Sequence, residues 1–296
     1  IIRKDNCVEL GFEKSALSTL ESVIMAHDME RKWIQNHPVI KYEDHLITYM
    51  ISVVQDRFLE NGVELFTPEA LSDVGVGKGE YKVVLLSDSD INAFAKRNMN
   101  NDRVIEEYYS RNLRKKALWK SESEYVLYME SRGGDEKLLQ ELENRIISLE
   151  KSLITKFGFP IINEEALNYL ENETETDFIP DDLLKDGKKQ ELKKALTIVQ
   201  YLKNYSEKNN IPFEYVIVSA NQFSTGYNKI DFKNIKIKFT ETKVEILDNI
   251  LKLVSANTSS RDNYFYIMVD SCSKIKIDVD LFSKELMKFI FSEYNK

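Results

Sequence analysis

Apolar residues recur at helical spacing through the first part of the chain. Four of them lie between positions 17 and 24, and a second run extends from position 46 to position 58. Residues that repeat at intervals of three and four fall on one face of a helix, and that face has to be covered. The pattern therefore predicts two long buried helices, the second of which ends near Gly62.

Two shorter helices are expected next. The segment LSDSDINAFAKRN places Ser87 or Ser89 before a periodic run, where a hydroxyl can cap the first turn. A further helix is predicted over 102–118. The preceding segment GVGKGEYK (75–82) is rich in glycine, but it lacks the GxxxxGK[ST] spacing of a phosphate-binding loop. It predicts a hairpin or a loop.

The middle of the chain predicts a helical hairpin. The segment EKLLQELENRIISLEKSLITKF carries an apolar stripe at spacings of four and three that stops at Gly158 and Pro160. The acidic segment ENETETDFIPDD reads as a linker. The helix predicted over KKQELKKALTIVQYLKNYSEKNN ends at Asn210 and Pro212.

The last part of the chain changes character. FEYVIVSA, IKIKF and NYFYIMVD predict short strands, the first and last of them largely buried, and DLFSKELMKFIFSEY predicts a closing amphipathic helix. The expected fold class is α+β, with a mainly helical N-terminal two-thirds and a small C-terminal α/β module. We predict a helical region over 1–132, a helical hairpin and linker over 133–208, and the α/β module over 209–296.

Composition narrows the class of protein. The chain has 296 residues, 43% of them apolar, and a net charge of −8. An acidic chain without a long apolar run predicts neither a membrane span nor a general nucleic-acid surface. Cys7 and Cys272 are far apart and form no CxxC motif, and no signal peptide opens the sequence, which favours two free thiols and a cytoplasmic location.

The three histidines lie together in MAHDMERKWIQNHPVIKYEDHL and invite the hypothesis of a metal site. On one straight helix His27 and His45 would stand about 27 Å apart, so one ion could not bind both. Pro38 can interrupt that helix without closing the distance. A hydrolytic metal centre also needs a histidine upstream of the His27-Asp28 pair, and none precedes it. We therefore expect no metal ligand and no catalytic residue in this chain.

The densest basic cluster offers a site for phosphates. It consists of Arg111, Arg114, Lys115, Lys116 and Lys120, and it adjoins Tyr108, Tyr109 and Trp119. Cations can neutralise phosphate charge, and aromatic rings are available for stacking on a base. The alternative is a solvated helix face on which these cations pair with Glu106, Glu107 and Glu122.

A family resemblance joins these segments. The order TLESVIMAHDMERKWIQNHPVIKYEDHLITYMI, LLSDSDINAFAKRN, YYSRNLRKKALWKSESEY resembles the part C-terminal to the catalytic core in HD-domain deoxynucleoside triphosphate triphosphohydrolases, over residues 10–125. The resemblance implies that the metal motif, H…HD…D, lies before residue 1 and holds a divalent ion such as Mg²⁺ or Mn²⁺. It also implies a homo-oligomer and no cofactor held by this chain itself.

The resemblance suggests nucleotide-binding positions. His37 matches a helix histidine of the family, and Arg111 resembles an arginine that contacts an activating nucleotide between subunits. His27 stands where relatives carry an arginine on the substrate triphosphate, and Gln35 where they carry a tyrosine on the sugar. With Arg114 and Lys115 from the basic cluster, these residues form the predicted nucleotide site.

Two functions remain open at this point. In the first, the chain is the C-terminal part of an HD-type metal-dependent phosphohydrolase that acts on dNTPs or related nucleotides. In the second, it is a catalytically inactive regulatory or scaffold subunit derived from that family. The absence of an initiator methionine favours the first, whereas His27 and Gln35 in place of arginine and tyrosine favour the second.

Overall fold

The computed structural model describes most of the chain and confirms the predicted class. It covers residues 2–4, 7–9, 11–78, 81–97, 101–110, 114–129, 136–175, 183–221, 235–240, 243–250 and 263–294. Helices make up 65% of these residues and the sheets have few strands, as expected for a mainly helical α+β protein.

The helices and strands have the following bounds. The helices are α1 (Leu17–Glu30), α2 (Pro38–Glu60), α3 (Asp88–Lys96), α4 (Arg103–Tyr109), α5 (Glu122–Met129), α6 (Glu136–Phe157), α7 (Glu164–Glu175), α8 (Leu183–Asn209), α9 (Leu247–Ile250), α10 (Ser271–Lys276) and α11 (Val279–Tyr294). The strands are β1 (Ile2–Lys4), β2 (Cys7–Glu9), β3 (Phe12–Glu13), β4 (Val76–Lys78), β5 (Tyr81–Val83), β6 (Lys116–Ala117), β7 (Ile161–Ile162), β8 (Tyr215–Asn221), β9 (Lys236–Lys238), β10 (Val244–Ile246) and β11 (Asn263–Val269).

A four-stranded antiparallel sheet lies at the centre, in the order β6-β11-β8-β7. The run YFYIMV of β11 is buried along its whole length, as predicted from its unbroken apolar sequence. The strands come from all three predicted regions, with β6 from 1–132, β7 from 133–208, and β8 and β11 from 209–296. One hydrophobic core thus joins residues of the three regions.

Helix α6 packs on this sheet through the predicted apolar stripe. Leu142, Ile146, Leu149 and Leu153 are all fully buried. The helix contacts β8, β11, α8 and α11, so the stripe faces the centre of the molecule. The helix ends before Gly158, which has a φ of 72° and lies in the left-handed region that favours glycine.

Two further cores flank the centre. The second half of α2 packs against α3, α4 and strand β5 around Val54, Leu65 and Ile105. In the same part of the molecule β4 and β5 pair as an antiparallel hairpin, which confirms the hairpin predicted over 75–82. A third, smaller core combines Ile24 of α1 with Ile237 of β9 and Leu247 of α9.

Two predictions about helices are wrong. The helix predicted over 102–118 ends at Tyr109, because Ser110 is extended and Lys116–Ala117 pair with β11 instead. The helix predicted to be buried over 17–24 is only partly covered: Ile24 is buried, whereas Val23 is 58% exposed. Helix α1 carries apolar residues on more than one face, and the third core covers only one of them.

Candidate nucleotide-binding site

His37 occupies the break between α1 and α2. A turn of π-helix, Arg31–Gln35, follows α1, and His37 is extended before Pro38 opens α2 at its first turn. The Nδ1 atom of His37 accepts a hydrogen bond from the backbone N–H of Val39 at 3.3 Å, which caps the helix. The proline interrupts the long helix, as the sequence suggested, because proline fits the first turn and not the interior.

The break is anchored to the central sheet. Asn36 is buried, and its carbonyl oxygen accepts a hydrogen bond from the Tyr266 hydroxyl at 2.9 Å. The backbone next to His37 is therefore fixed to β11, and the imidazole itself is held by its contact with the start of α2. A residue fixed in this way is suited to a binding role, since little order remains to be gained on binding.

His27 and Gln35 lie on the exposed side of the same region. His27 is exposed on α1, and the exposed Gln35 amide nitrogen is 3.5 Å from the Glu30 carboxylate, at the limit of a hydrogen bond. Within the described residues no hydrogen bond or ion pair links either side chain to His37. Both side chains are therefore open to solvent beside the break.

Arg114 reaches α2 from the segment after α4. Its half-buried guanidinium forms an ion pair with Glu43, and one terminal nitrogen donates to the carbonyl of Tyr108 at 2.8 Å. Glu43 follows His37 by six residues, about 9 Å along a helix axis, so Arg114 lies beside the first turns of α2. Its Nε atom is buried and has no acceptor among the described residues.

Lys115 lies inside the protein. Its side chain is 4% exposed, and its ammonium contacts the Glu107 carboxylate at 3.1 Å and the Glu214 carboxylate at 2.9 Å. Glu107 also accepts a hydrogen bond from the Tyr42 hydroxyl at 2.5 Å. Burial, followed by the Glu107 charge, raises the pKa of Tyr42 far above its usual range. These four groups are linked to one another, and the ammonium is already paired with two carboxylates, of which Glu214 also pairs with Arg103 at 2.9 Å.

The rest of the basic cluster is divided between surface and core. Arg111 lies outside the described residues. Lys116 and Lys120 are exposed, whereas Trp119 is fully buried and donates its indole N–H to the carbonyl of Phe265 at 2.6 Å. The expectation that Trp119 is available for stacking on a base is wrong, because it fills the core beside β11.

His45 has a structural contact. Its Nε2 atom is 3.0 Å from a carboxylate oxygen of Glu150 on α6, and the same oxygen accepts the backbone N–H of Ser219 on β8 at 3.1 Å. The pair ties α2 to α6 and the sheet. In the part of the chain that the structure describes, no three histidine, cysteine, aspartate or glutamate side chains meet closely enough to hold a metal ion.

Of the three glutamates that the sequence offered as partners of the basic cluster, Glu107 does pair with Lys115, and the other carboxylate partners were not predicted. Glu107 could be named as a possible neighbour of Lys115, but Glu214 is distant along the chain and comes near only through the fold. Glu43 lies on α2 among charged residues and gives no signal of pairing with Arg114.

An apolar stripe runs along the open side of α1 and the π-helical turn. Met25, Met29 and Trp33 follow one another at intervals of four and are 50%, 54% and 63% exposed. A helix with apolar side chains on opposite faces is normally covered on both. We call these three residues the α1 stripe.

Comparison of the chain with protein-family models, with curated proteins and with solved structures finds no match. Within the described residues no helix combines the length and apolar character that crossing a membrane requires.

Proposed function

We propose that this chain is the part of an HD-type metal-dependent phosphohydrolase that adjoins the catalytic centre, acting on dNTPs or related nucleotides. The metal ligands, and the Mg²⁺ or Mn²⁺ that they hold, belong to a catalytic half outside this sequence. The resemblance over residues 10–125 supports this proposal. Helices α1, α2, α3 and α4 lie within these residues.

One observation carries the nucleotide-binding part. The Nε–H of Arg114 is a buried donor with no acceptor among the described residues, next to the turns of α2 that follow His37. A buried donor without a partner costs about 1–3 kcal/mol, so an oxygen atom is expected to reach it. A phosphate oxygen meets this need, since guanidinium groups bind phosphate through several N–H donors.

The residues around Arg114 take different parts in this site. His37 offers its Nε2 edge, because Nδ1 is used by the helix cap. His27 and Gln35 lie on the solvent side, where they can contact the sugar or the outer phosphates. Lys115 does not contact the nucleotide, since its ammonium is paired with Glu107 and Glu214. Its role is to hold the segment that carries Arg114 in place. Arg111 stays a predicted contact.

The α1 stripe supports self-association. We infer that a second copy of the chain covers Met25, Met29 and Trp33, as the homo-oligomer implied by the resemblance requires. A Trp33→Glu variant should lower the oligomeric state measured by light scattering after size-exclusion chromatography. Leu281→Glu, at an apolar position 48% exposed on α11, is the matched control and should leave the state unchanged. The same oligomeric state in both variants and in the native protein would contradict self-association through the α1 stripe.

A catalytically inactive regulatory or scaffold subunit is the second candidate. The internal pairing of Arg114 and Lys115 favours it, because both cations already serve the fold. The two functions differ in a direct assay of the protein expressed from its complete reading frame. Release of inorganic triphosphate from a dNTP in the presence of Mg²⁺ or Mn²⁺ supports the enzyme. Binding of a dNTP with no hydrolysis under either metal supports the subunit.

A further inference from the structure

A cavity lies at the end of α2 that is opposite to His37. It has a volume of about 320 Å³ and is formed by the last turn of α2, by β5 and by α3. Its lining consists of Arg57, Phe58, Asn61, Lys82, Val83, Phe94 and Arg97. Twenty residues of helix separate Arg57 from His37, which corresponds to about 30 Å. The cavity is therefore distinct from the site at the start of α2.

The charge of this cavity is positive. Arg57, Lys82 and Arg97 line it, and no aspartate or glutamate is among its described lining residues. None of the three cations forms an ion pair with a carboxylate in the described part of the chain. In a protein with a net charge of −8, three cations without carboxylate partners at one cavity attract an anion.

The apolar wall of the cavity is aromatic. The rings of Phe58 and Phe94 lie with centroids 4.6 Å apart and planes inclined by 54°. The guanidinium carbon of Arg97 is 5.9 Å from the centre of the Phe94 ring, so this cation borders the aromatic wall. Cationic and aromatic groups at one place recognise a ligand that has an anionic end and a flat ring.

The walls are formed before any ligand binds. Val83 is buried in the core that α2 and α3 share, and both phenylalanines pack against that core. Asn61 caps α2, and its amide donates to the carbonyl of Arg57 at 2.9 Å. A pocket built from packed side chains loses little order on binding.

We propose that this cavity binds a nucleoside monophosphate, with the phosphate held by Arg57, Lys82 and Arg97 and the base placed against Phe58 and Phe94. The volume lies at the lower end of the range for small-molecule pockets, which fits one such nucleotide and not a dinucleotide. Binding here depends on none of the residues of the proposed dNTP site, and it holds whether or not the protein hydrolyses dNTPs.

Two of the three cations also have a structural effect that the experiment must separate from binding. Arg57 lies in the last turn of α2 and Arg97 at the end of α3, where cations stabilise the negative ends of helix dipoles. A loss of thermal stability alone therefore does not report on a ligand. The readout has to be the affinity for a nucleotide, measured on variants whose far-UV circular dichroism matches that of the native chain.

Isothermal titration with AMP, GMP, CMP and UMP tests the site. We expect at least one of them to bind, and Arg97→Gln to weaken its affinity about tenfold, because one charged hydrogen bond is lost. Phe94→Leu keeps the apolar volume but removes the ring, and it should weaken the same nucleotide about tenfold while leaving inorganic phosphate unaffected. Lys193→Gln removes an equal charge from the exposed face of α8 and should change nothing.

Three results would overturn the assignment. The first is the absence of binding by all four nucleotides at millimolar concentration. The second is an affinity that Arg97→Gln and Phe94→Leu leave unchanged. The third is equal affinity for inorganic phosphate and for the nucleotides, which would leave the aromatic wall without a role. If Phe94→Leu fails to fold, Arg57→Gln on the surface replaces it as the second variant.

Discussion

Lys115 was predicted from the sequence to contact a phosphate, and replacing it with methionine tests whether it stabilises the folded protein instead. Methionine has a similar length and no charge, so Lys115→Met removes the cation that Glu107 and Glu214 share. Glu214 keeps its ion pair with Arg103 at 2.9 Å, whereas Glu107 loses the one cation that pairs with it among the described residues. Each carboxylate lies about 3 Å from the ammonium, and Glu107 is only 5% exposed. At an effective dielectric constant of about 20, one such pair is worth roughly 5 kcal/mol before the cost of desolvation.

The expected net loss follows from the buried position. Removal of one partner from a buried ion pair lowers the free energy of unfolding by about 3–5 kcal/mol, because a carboxylate then stays buried and unpaired. A loss of this size is a large share of the stability of a typical domain, about 5–15 kcal/mol. The assay is urea unfolding followed by far-UV circular dichroism.

Two variants control the experiment. Lys116→Met makes the same change at the exposed neighbouring position, and it should alter the free energy of unfolding by less than about 0.5 kcal/mol. Lys115→Met combined with Glu107→Gln removes one buried negative charge while keeping an acceptor for Tyr42, so the double variant should recover part of the loss. Equal, small effects of Lys115→Met and Lys116→Met would refute the buried ion pair.

Three further changes test other parts of the structure by the same unfolding assay. Trp119→Phe leaves the buried carbonyl of Phe265 without its donor and should cost about 2–3 kcal/mol. Gly158→Ala forces a side chain into the left-handed region, with its Cβ 3.2 Å from the Tyr49 ring, and should cost about 1–2 kcal/mol; a neutral effect of either change would contradict the structure. Burial alone would raise the pKa of Asp270, but hydrogen bonds from Ser273 and Cys272 and the charge of Lys115 outweigh it and lower the pKa below its usual range. The stability that the Asp270 carboxylate contributes is thus complete above its pKa in the unfolded chain, about 3.9, and is lost as the pH falls through its lower pKa in the folded protein. Asp270→Asn should therefore make the free energy of unfolding fall less steeply with decreasing pH. An unchanged slope would contradict this account.

Elements with strong periodicity could be predicted from the sequence. The stripe of α6 and the apolar runs of β8 and β11 were identified with their correct type, since burial on one or both faces leaves a repeating signal. The strand β6 could not be predicted, because two residues carry no period and their pairing with Met268 and Val269 depends on the tertiary fold.

The candidate site was predictable in its residue types and not in its contacts. The sequence shows that Arg114 and Lys115 are basic, but the carboxylates that pair with them are supplied by α2, by α4 and by the segment before β8. The same limit applies to the cavity beside α3. Its three cations are separated along the chain, and the packing of α2 with β5 and α3 brings them to one place.

Titration of the four dNTPs into the Arg97→Gln variant, in which nucleotide binding at the cavity beside α3 is weakened, tests the central claim most directly. Arg114→Lys in the same background keeps the ion pair with Glu43 and removes the Nε–H that has no acceptor among the described residues. We predict that a dNTP binds the first variant and that Arg114→Lys weakens its affinity about tenfold, with little change in stability. No dNTP binding, or binding of equal strength in both variants, would contradict a nucleotide site at the start of α2.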